Sequence, residues 1–249
     1  ARNFSATLKP AARLTRDGAL VEISGLAPAG PGRVYTHTDE SATVYELDVG
    51  SGAIVSTYSL GRPAAAGDFE AIAFKDGVLA LVTSSGVIYE SGLEPGKRSL
   101  AFRAIDTGLG NVCEIEGFAP GKARGGYFLV CKHMENRLVV HEWSRARGAV
   151  RVIDRKLRGA VPRPKDFRAT DLAVDTARGA FLILDSGAGA ILEVPLEGGE
   201  TRYWRLGGDH RQAEGLALLD DGRLLVADEG KIGEGRIAAA ALTLYGPRR

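Results

Sequence analysis

Two cysteines and four histidines are all that 249 residues contain of the residue types that most often hold metals or build disulfide scaffolds. Two cysteines make at most one bridge, so no disulfide framework replaces a core. No two histidines stand four apart, which removes the helical zinc signature. No Gly-x-Ser-x-Gly elbow and no Walker loop occurs, so serine hydrolases of that type and P-loop enzymes are disfavoured. No apolar run approaches the roughly 18 residues of a membrane span. No long helical stripe of apolar residues appears, which argues against α/β folds. Net charge is +1, too small to suggest nucleic acid or a lipid surface as partner. The one basic segment, residues 155–168, lacks interleaved aromatics and reads as a solvated loop or outer strand. The chain starts at Ala1 without Met or a visible signal peptide. It is read as a mature or trimmed form, with membrane contact only through a removed or absent N-terminal segment.

Glycine, by contrast, is abundant at 33 residues and clusters in short turn-like groups, which favours many short strands. The strands repeat. "EISGLA", "DFEAIA", "EIEGFA", "RATDLA" and "QAEGLA" begin at residues 22, 68, 114, 168 and 212. After each come a turn, an apolar strand with a polar end ("YFLVCKHME" in the third unit), and a third strand such as "RLVVHEW". A fourth strand completes most units; the fifth stops near Leu244 after three, its third read as "RIAAAAL". A lone four-stranded sheet cannot bury both faces, whereas blades packed in a closed ring can. The expectation is one all-β domain over 1–249, a five-bladed β-propeller with blades starting near 20, 67, 112, 167 and 211. Residues 1–16 supply the missing outer strand of the last blade. A six-bladed ring is the alternative.

In a propeller the first strand of each blade lines the central channel, and residues two apart share a face. The outer channel position then holds Glu22, Asp68, Glu114, Arg168 and Gln212, and the inner one Ser24, Glu70, Glu116, Thr170 and Glu214. Two carboxylates about 6 Å apart repel by roughly 3 kcal/mol at an effective dielectric near 20. Converging acids therefore need Arg168, Lys132, protonation, water or a cation to offset them. Glu70, Glu116 and Glu214 are the candidate metal ligands, and oxygen-rich sets of this kind suit Ca²⁺. The alternatives are acids that bond backbone N–H groups and water to hold the ring together, or acid–base catalysis. The second strands end with Asp39 and Glu40, Lys132 and His133, Asp185, and Asp228 and Glu229, a candidate binding rim.

Cys113 opens the first strand of the third unit and Cys131 closes its second, so the two lie nearly opposite across a hairpin. Either they form a cross-strand disulfide, which would indicate an oxidising compartment, or they are two buried thiols.

"EISGLA…HTDES…VYELD", "DFEAIAF", "IEGFA…CKH" and "QAEGLALLDDGRLLVADEG" resemble the SdiA-regulated (YjiK-like) family of bacterial proteins over nearly the whole chain. The resemblance implies a β-propeller, usually exported or membrane-anchored, with no established reaction. It maps the family's recurrent acidic motif onto Glu22, Asp68, Glu70, Glu116 and Glu214, with Asp39, Glu40 and Glu229 after the second strands. The fourth unit departs from it, with Thr170 and Asp171 where Glu-Gly stands elsewhere. The leading expectation is a monomeric periplasmic or exported binding or scaffold protein, holding a divalent cation or small ligand at the acidic channel. A metal-dependent hydrolase of phosphoesters or lactones, with His37 or His133 as base, is the alternative. A protein-interaction platform is a third reading.

Overall fold

The computed structural model describes residues 4–15, 20–233 and 236–248. They form a five-bladed β-propeller in which nearly all neighbouring strands are antiparallel. Blade 1 holds Leu26–Gly30, Arg33–His37, Thr43–Asp48 and Ile54–Leu60 from axis to edge. Blade 2 holds Phe69–Lys75, Val78–Thr83, Val87–Gly92 and Arg103–Asp106. Blade 3 holds Ile115–Pro120, Tyr127–Cys131, Arg137–Ser144 and Gly148–Lys156. Blade 4 holds Ala169–Asp175, Ala180–Asp185, Ala190–Pro195 and Arg202–Leu206. Blade 5 holds Ala213–Leu218, Leu224–Asp228 and Ala241–Tyr245, with Pro10–Thr15 as its outer strand.

The N-terminal segment thus closes the ring, but it does more than the sequence suggests. Its first half, Phe4–Leu8, runs parallel to Arg202–Leu206 and extends blade 4. Only its second half joins blade 5; residues 1–3 and 16 of the expected closing segment lie outside the described residues. Ser99–Leu100 similarly lies parallel to the edge of blade 1. The third strand of blade 5 also differs from the expected "RIAAAAL". Lys231–Gly233 and Arg236–Ala238 pair as a separate hairpin, and Ala241–Tyr245 takes the place beside Leu224–Asp228.

Burial explains why the second strands read as unbroken apolar runs. Tyr127–Cys131, Ala180–Asp185 and Leu224–Asp228 are buried at every position, because each lies between two neighbouring blades. A strand covered on both faces has no polar alternation to show. The edge strand Gly148–Lys156, covered on one side only, has no buried position. Five apolar clusters fill the five blade interfaces. One contains Leu26 and Val34 of blade 1 with Leu225 and Leu242 of blade 5, so first and last blades pack as the others do. Polar ties cross interfaces too: the Tyr127 hydroxyl of blade 3 donates to Glu90 of blade 2 at 2.7 Å. Asp76 and Gly77 both have positive φ, the two-residue turn whose twist suits a hairpin, and they join Lys75 directly to Val78.

Cys113 and Cys131 form a disulfide with Cα atoms 5.7 Å apart. It ties the entry of blade 3 to the end of its second strand. Closing a loop of this separation, 18 residues, removes unfolded-state freedom worth about 3 kcal/mol. Reduction should therefore lower the melting temperature by about 6–12 °C, measured with and without reductant alongside a thiol count. Two titratable thiols at an unchanged melting temperature would contradict this.

Candidate functional site

The inner strands of blades 2 to 5 share one irregularity. Their pairing slips between residues 69 and 71, 115 and 117, 169 and 171, and 213 and 215. Glu70, Glu116, Thr170 and Glu214 are the extra residues of these β-bulges. A bulge bends its strand and re-aims the side chain. The repeated acidic position is therefore a repeated bulge, which strict alternation along a strand does not anticipate.

The residues that follow the bulges, with Gly25 in blade 1, form the waist of the channel: Gly25, Ala71, Gly117, Asp171 and Gly215. They are small because the inner strands nearly touch here. A Cβ on Gly117 would lie 2.8 Å from the carbonyl carbon of Asp171 and 2.9 Å from the nitrogen of Leu172. One on Gly215 would lie 3.1 Å from the carbonyl carbon of Gly25. The exception is Asp171, wholly buried. Its carboxylate accepts backbone N–H bonds from Leu216 at 2.7 Å, from its own neighbour Leu172 at 2.8 Å, and from Leu26 at 3.4 Å. The Phe118 amide is a fourth donor. One side chain of blade 4 thus binds blades 1, 3 and 5. Burial pushes its pKa well up, and the four backbone donors pull against that. Because both oxygens already face donors, a proton on either would lack an acceptor. Asp171 is absent from the sequence-derived site; the signal was an acid in a column of glycine and alanine.

Above the waist the bulged acids reach the channel mouth. Oxygens of Glu70, Glu114 and Glu116 lie within 4.8 Å of one another. Lys132 Nζ pairs with Glu114 at 3.2 Å and closely with Glu116. Burial raises the pKa of Glu70 to about 8, helped by the charges of Glu116, Asp68 and Glu114. Burial raises Glu214 to about 7, with Glu116 and Glu229 adding repulsion. Glu116 is also pushed up by burial, while Lys132 pulls it down. Burial works against the Lys132 ammonium, but its pairs with Glu116 and Glu114 outweigh this and hold its pKa above the usual lysine value.

This geometry corrects the expected set in several places. Glu114 completes the compact trio; Glu214 stands outside it, although close enough to feel Glu116. Lys132 is the counter-ion of the mouth. Arg168 is exposed and makes no ion pair among the described residues. Glu22 lies by Asp39 and Glu40 over blade 1, its pKa raised by burial and by their charges. Asp68 is exposed and accepts a bond from Ser84 at 2.5 Å. Gln212 donates to Glu229. Asp185 is 2% exposed and occupied by the Arg168 amide and the Tyr203 hydroxyl, each at 3.1 Å, so it is a structural acceptor rather than a rim ligand. Asp228 is likewise buried, 2.7 Å from His210 Nδ1, and His210 Nε2 in turn contacts the Tyr245 hydroxyl. Sequence reading missed this chain because His210 falls outside the repeated positions. His133 is exposed. His37 is wholly buried, and burial lowers its pKa to about 4, so its imidazole is neutral and enclosed.

No family model matches the chain, and no curated protein matches it in sequence. Solved β-propeller structures do match it in shape. Glutaminyl cyclase from Myxococcus xanthus superposes with a TM-score of 0.62 at 15% identity, covering 97% of this chain and 99% of its own. A luciferin-regenerating enzyme gives 0.57 at 10% identity, covering 94% and 95%. A chain of a nidogen/laminin complex gives 0.51 at 14% identity, covering 83% and 72%. At these identities the likeness is one of fold, and the fold serves both enzymes and binding proteins.

The waist makes a direct prediction. Asp171→Ala leaves four inward N–H groups without their acceptor, and Asp171→Asn turns an NH₂ toward them. Both should cost about 3–5 kcal/mol, read as a fall in denaturant midpoint. A loss below about 1 kcal/mol in both would show that the carboxylate does not hold the blades together.

Proposed function

We propose that this chain is an exported cell-envelope binding propeller of the SdiA-regulated (YjiK-like) kind, whose acidic channel mouth takes a divalent cation, Ca²⁺ by the chemistry of its donors. One observation carries the reading. Glu70, Glu114 and Glu116 place oxygens within 4.8 Å of one another, a spread that one ion with bonds of about 2.3–2.6 Å can bridge. The donor set is all carboxylate oxygen, which suits a hard cation. A single ammonium, Lys132, faces three carboxylates, and the raised Glu70 is the part it leaves unbalanced. A divalent ion would relieve that repulsion. The disulfide supports an oxidising compartment outside the cytoplasm. No helix among the described residues is long and apolar enough to cross a membrane. The bound cation and the rim acids Asp39, Glu40 and Glu229 would then form the surface that a small ligand or protein partner meets.

A hydrolase of phosphoesters or lactones would use the same cation and also need a base. His37, enclosed and held near 4, does not supply one, which leaves exposed His133 as the base that reading would need.

The pH dependence gives the test. Glu70 and Glu214 have folded-state pKa values above the ordinary carboxylate value. The folded protein therefore holds extra protons, and cation-free stability falls as pH rises from about 4.5 to about 8. A cation competes with those protons, so its stabilisation should grow over the same range. Melting in EDTA and in millimolar Ca²⁺ should differ little at pH 5 and by several degrees at pH 9. Glu70→Gln should abolish the Ca²⁺ response and melt above the parent in EDTA at pH 9. Equal melting in EDTA and Ca²⁺ at both pH values, with no metal copurifying, would refute the cation site.

A further inference from the structure

The opposite end of the channel has another character. Below the Asp171 waist, the inner strands place five apolar residues at the inner end of a cavity: Leu26, Ile72, Phe118, Leu172 and Leu216, each at most 3% exposed and packed into a blade interface. Four of these residues donate the backbone N–H groups that hold Asp171, so the floor of this space is fixed by the same bonds. Two residues further along each strand stand Pro28, Phe74, Pro120, Val174 and Leu218, all half-buried. They wall a cavity of about 320 Å³ that opens on the face away from the acids. No carboxylate of the described residues lines it. Its charged residues are Lys75 and Lys122; neither ammonium pairs with a carboxylate within 4 Å among the described residues, while the Lys122 backbone N–H donates to Glu142 at 2.9 Å. Thr176 adds a hydroxyl.

An enclosed apolar space with a few convergent polar groups is the usual form of a small-molecule site, and this volume lies at the lower end of the common range of about 300–1,000 Å³. A protein partner generally meets a broader, flatter surface. Apolar walls reward the burial of an aliphatic chain by about 0.8 kcal/mol per methylene. Two unpaired ammonium groups favour an anion at the open end and disfavour a cation there. We infer that this cavity binds a medium-chain aliphatic carboxylate, chain inward on the floor of Leu26, Ile72, Phe118, Leu172 and Leu216, and head group between Lys75 and Lys122. The site is separate from the acidic mouth, with the Asp171 network between them.

Isothermal titration with decanoate, decanol and decyltrimethylammonium, each below its micelle concentration, tests this. Decanoate should bind at one site at least tenfold more tightly than decanol, and the ammonium compound should not bind. The double variant K75Q/K122Q should bring decanoate down to the affinity of decanol without changing the melting temperature. Leu218→Trp, which fills the wall of the cavity, should abolish binding of both. Glu70→Gln and EDTA should leave decanoate binding unchanged, since the acidic mouth takes no part. Decanoate no tighter than decanol, or binding that survives Leu218→Trp in folded protein, would overturn the assignment. So would uptake of decanoate only as part of anionic vesicles, which would indicate a lipid surface instead.

Discussion

The Asp171 carboxylate at the waist is the constraint on which the rest of the molecule depends. A ring of five blades must bring five inner strands close together without leaving their inward N–H groups unsatisfied. Gly25, Ala71, Gly117 and Gly215 solve the steric half of that problem. Asp171 solves the polar half by accepting N–H bonds from blades 1, 3, 4 and 5. A buried charge is tolerated here because several fixed dipoles point at it, the same reason that carboxylates accept amides at helix N-termini. The result is a plug rather than an open pore. It leaves a carboxylate-rich mouth on one side and an apolar cavity on the other.

The acidic mouth follows from the same geometry. The bulges that precede the waist turn Glu70, Glu116 and Glu214 upward toward one another, and the disulfide between Cys113 and Cys131 brackets the strands that carry Glu114, Glu116 and Lys132. These acids are held in place by backbone pairing and a covalent staple. Burial first, and then the repulsion of neighbouring carboxylates, raises the pKa values of Glu70 and Glu214. In the proposed cation site this fixed arrangement, already partly neutralised by Lys132, would be preorganisation in electrostatic terms.

Much of the fold was legible because a propeller repeats. The column of Gly, Ala, Gly, Asp and Gly, followed each time by a bulky apolar residue and Ala, is the waist and floor written five times. The convergence of Glu70 with Glu116 could be read from the position just before that column, and the opposition of Cys113 and Cys131 from the hairpin they bracket. What could not be read is whatever breaks the period. Asp171 looked like a lapse in an acidic ring, yet it is the residue the ring closes upon. Arg168 occupied the right column to neutralise the acids, but it faces solvent, and Lys132 reaches in from the neighbouring strand instead. The compact trio holds Glu114, which precedes its bulge, and not Glu214, which occupies one. His210 and the division of the N-terminal strand between two blades depend on long-range contacts that no local pattern encodes.

The central claim is that the mouth holds protons in place of a cation. Calorimetric titration of Ca²⁺ into metal-stripped protein at pH 7, repeated in two buffers of different ionisation enthalpy, measures both binding and proton exchange. One Ca²⁺ should bind with net release of protons from the Glu70 and Glu214 side of the mouth, and the release should shrink in Glu70→Gln in step with the loss of affinity. Binding with no buffer dependence of the heat, or no binding at all, would contradict it.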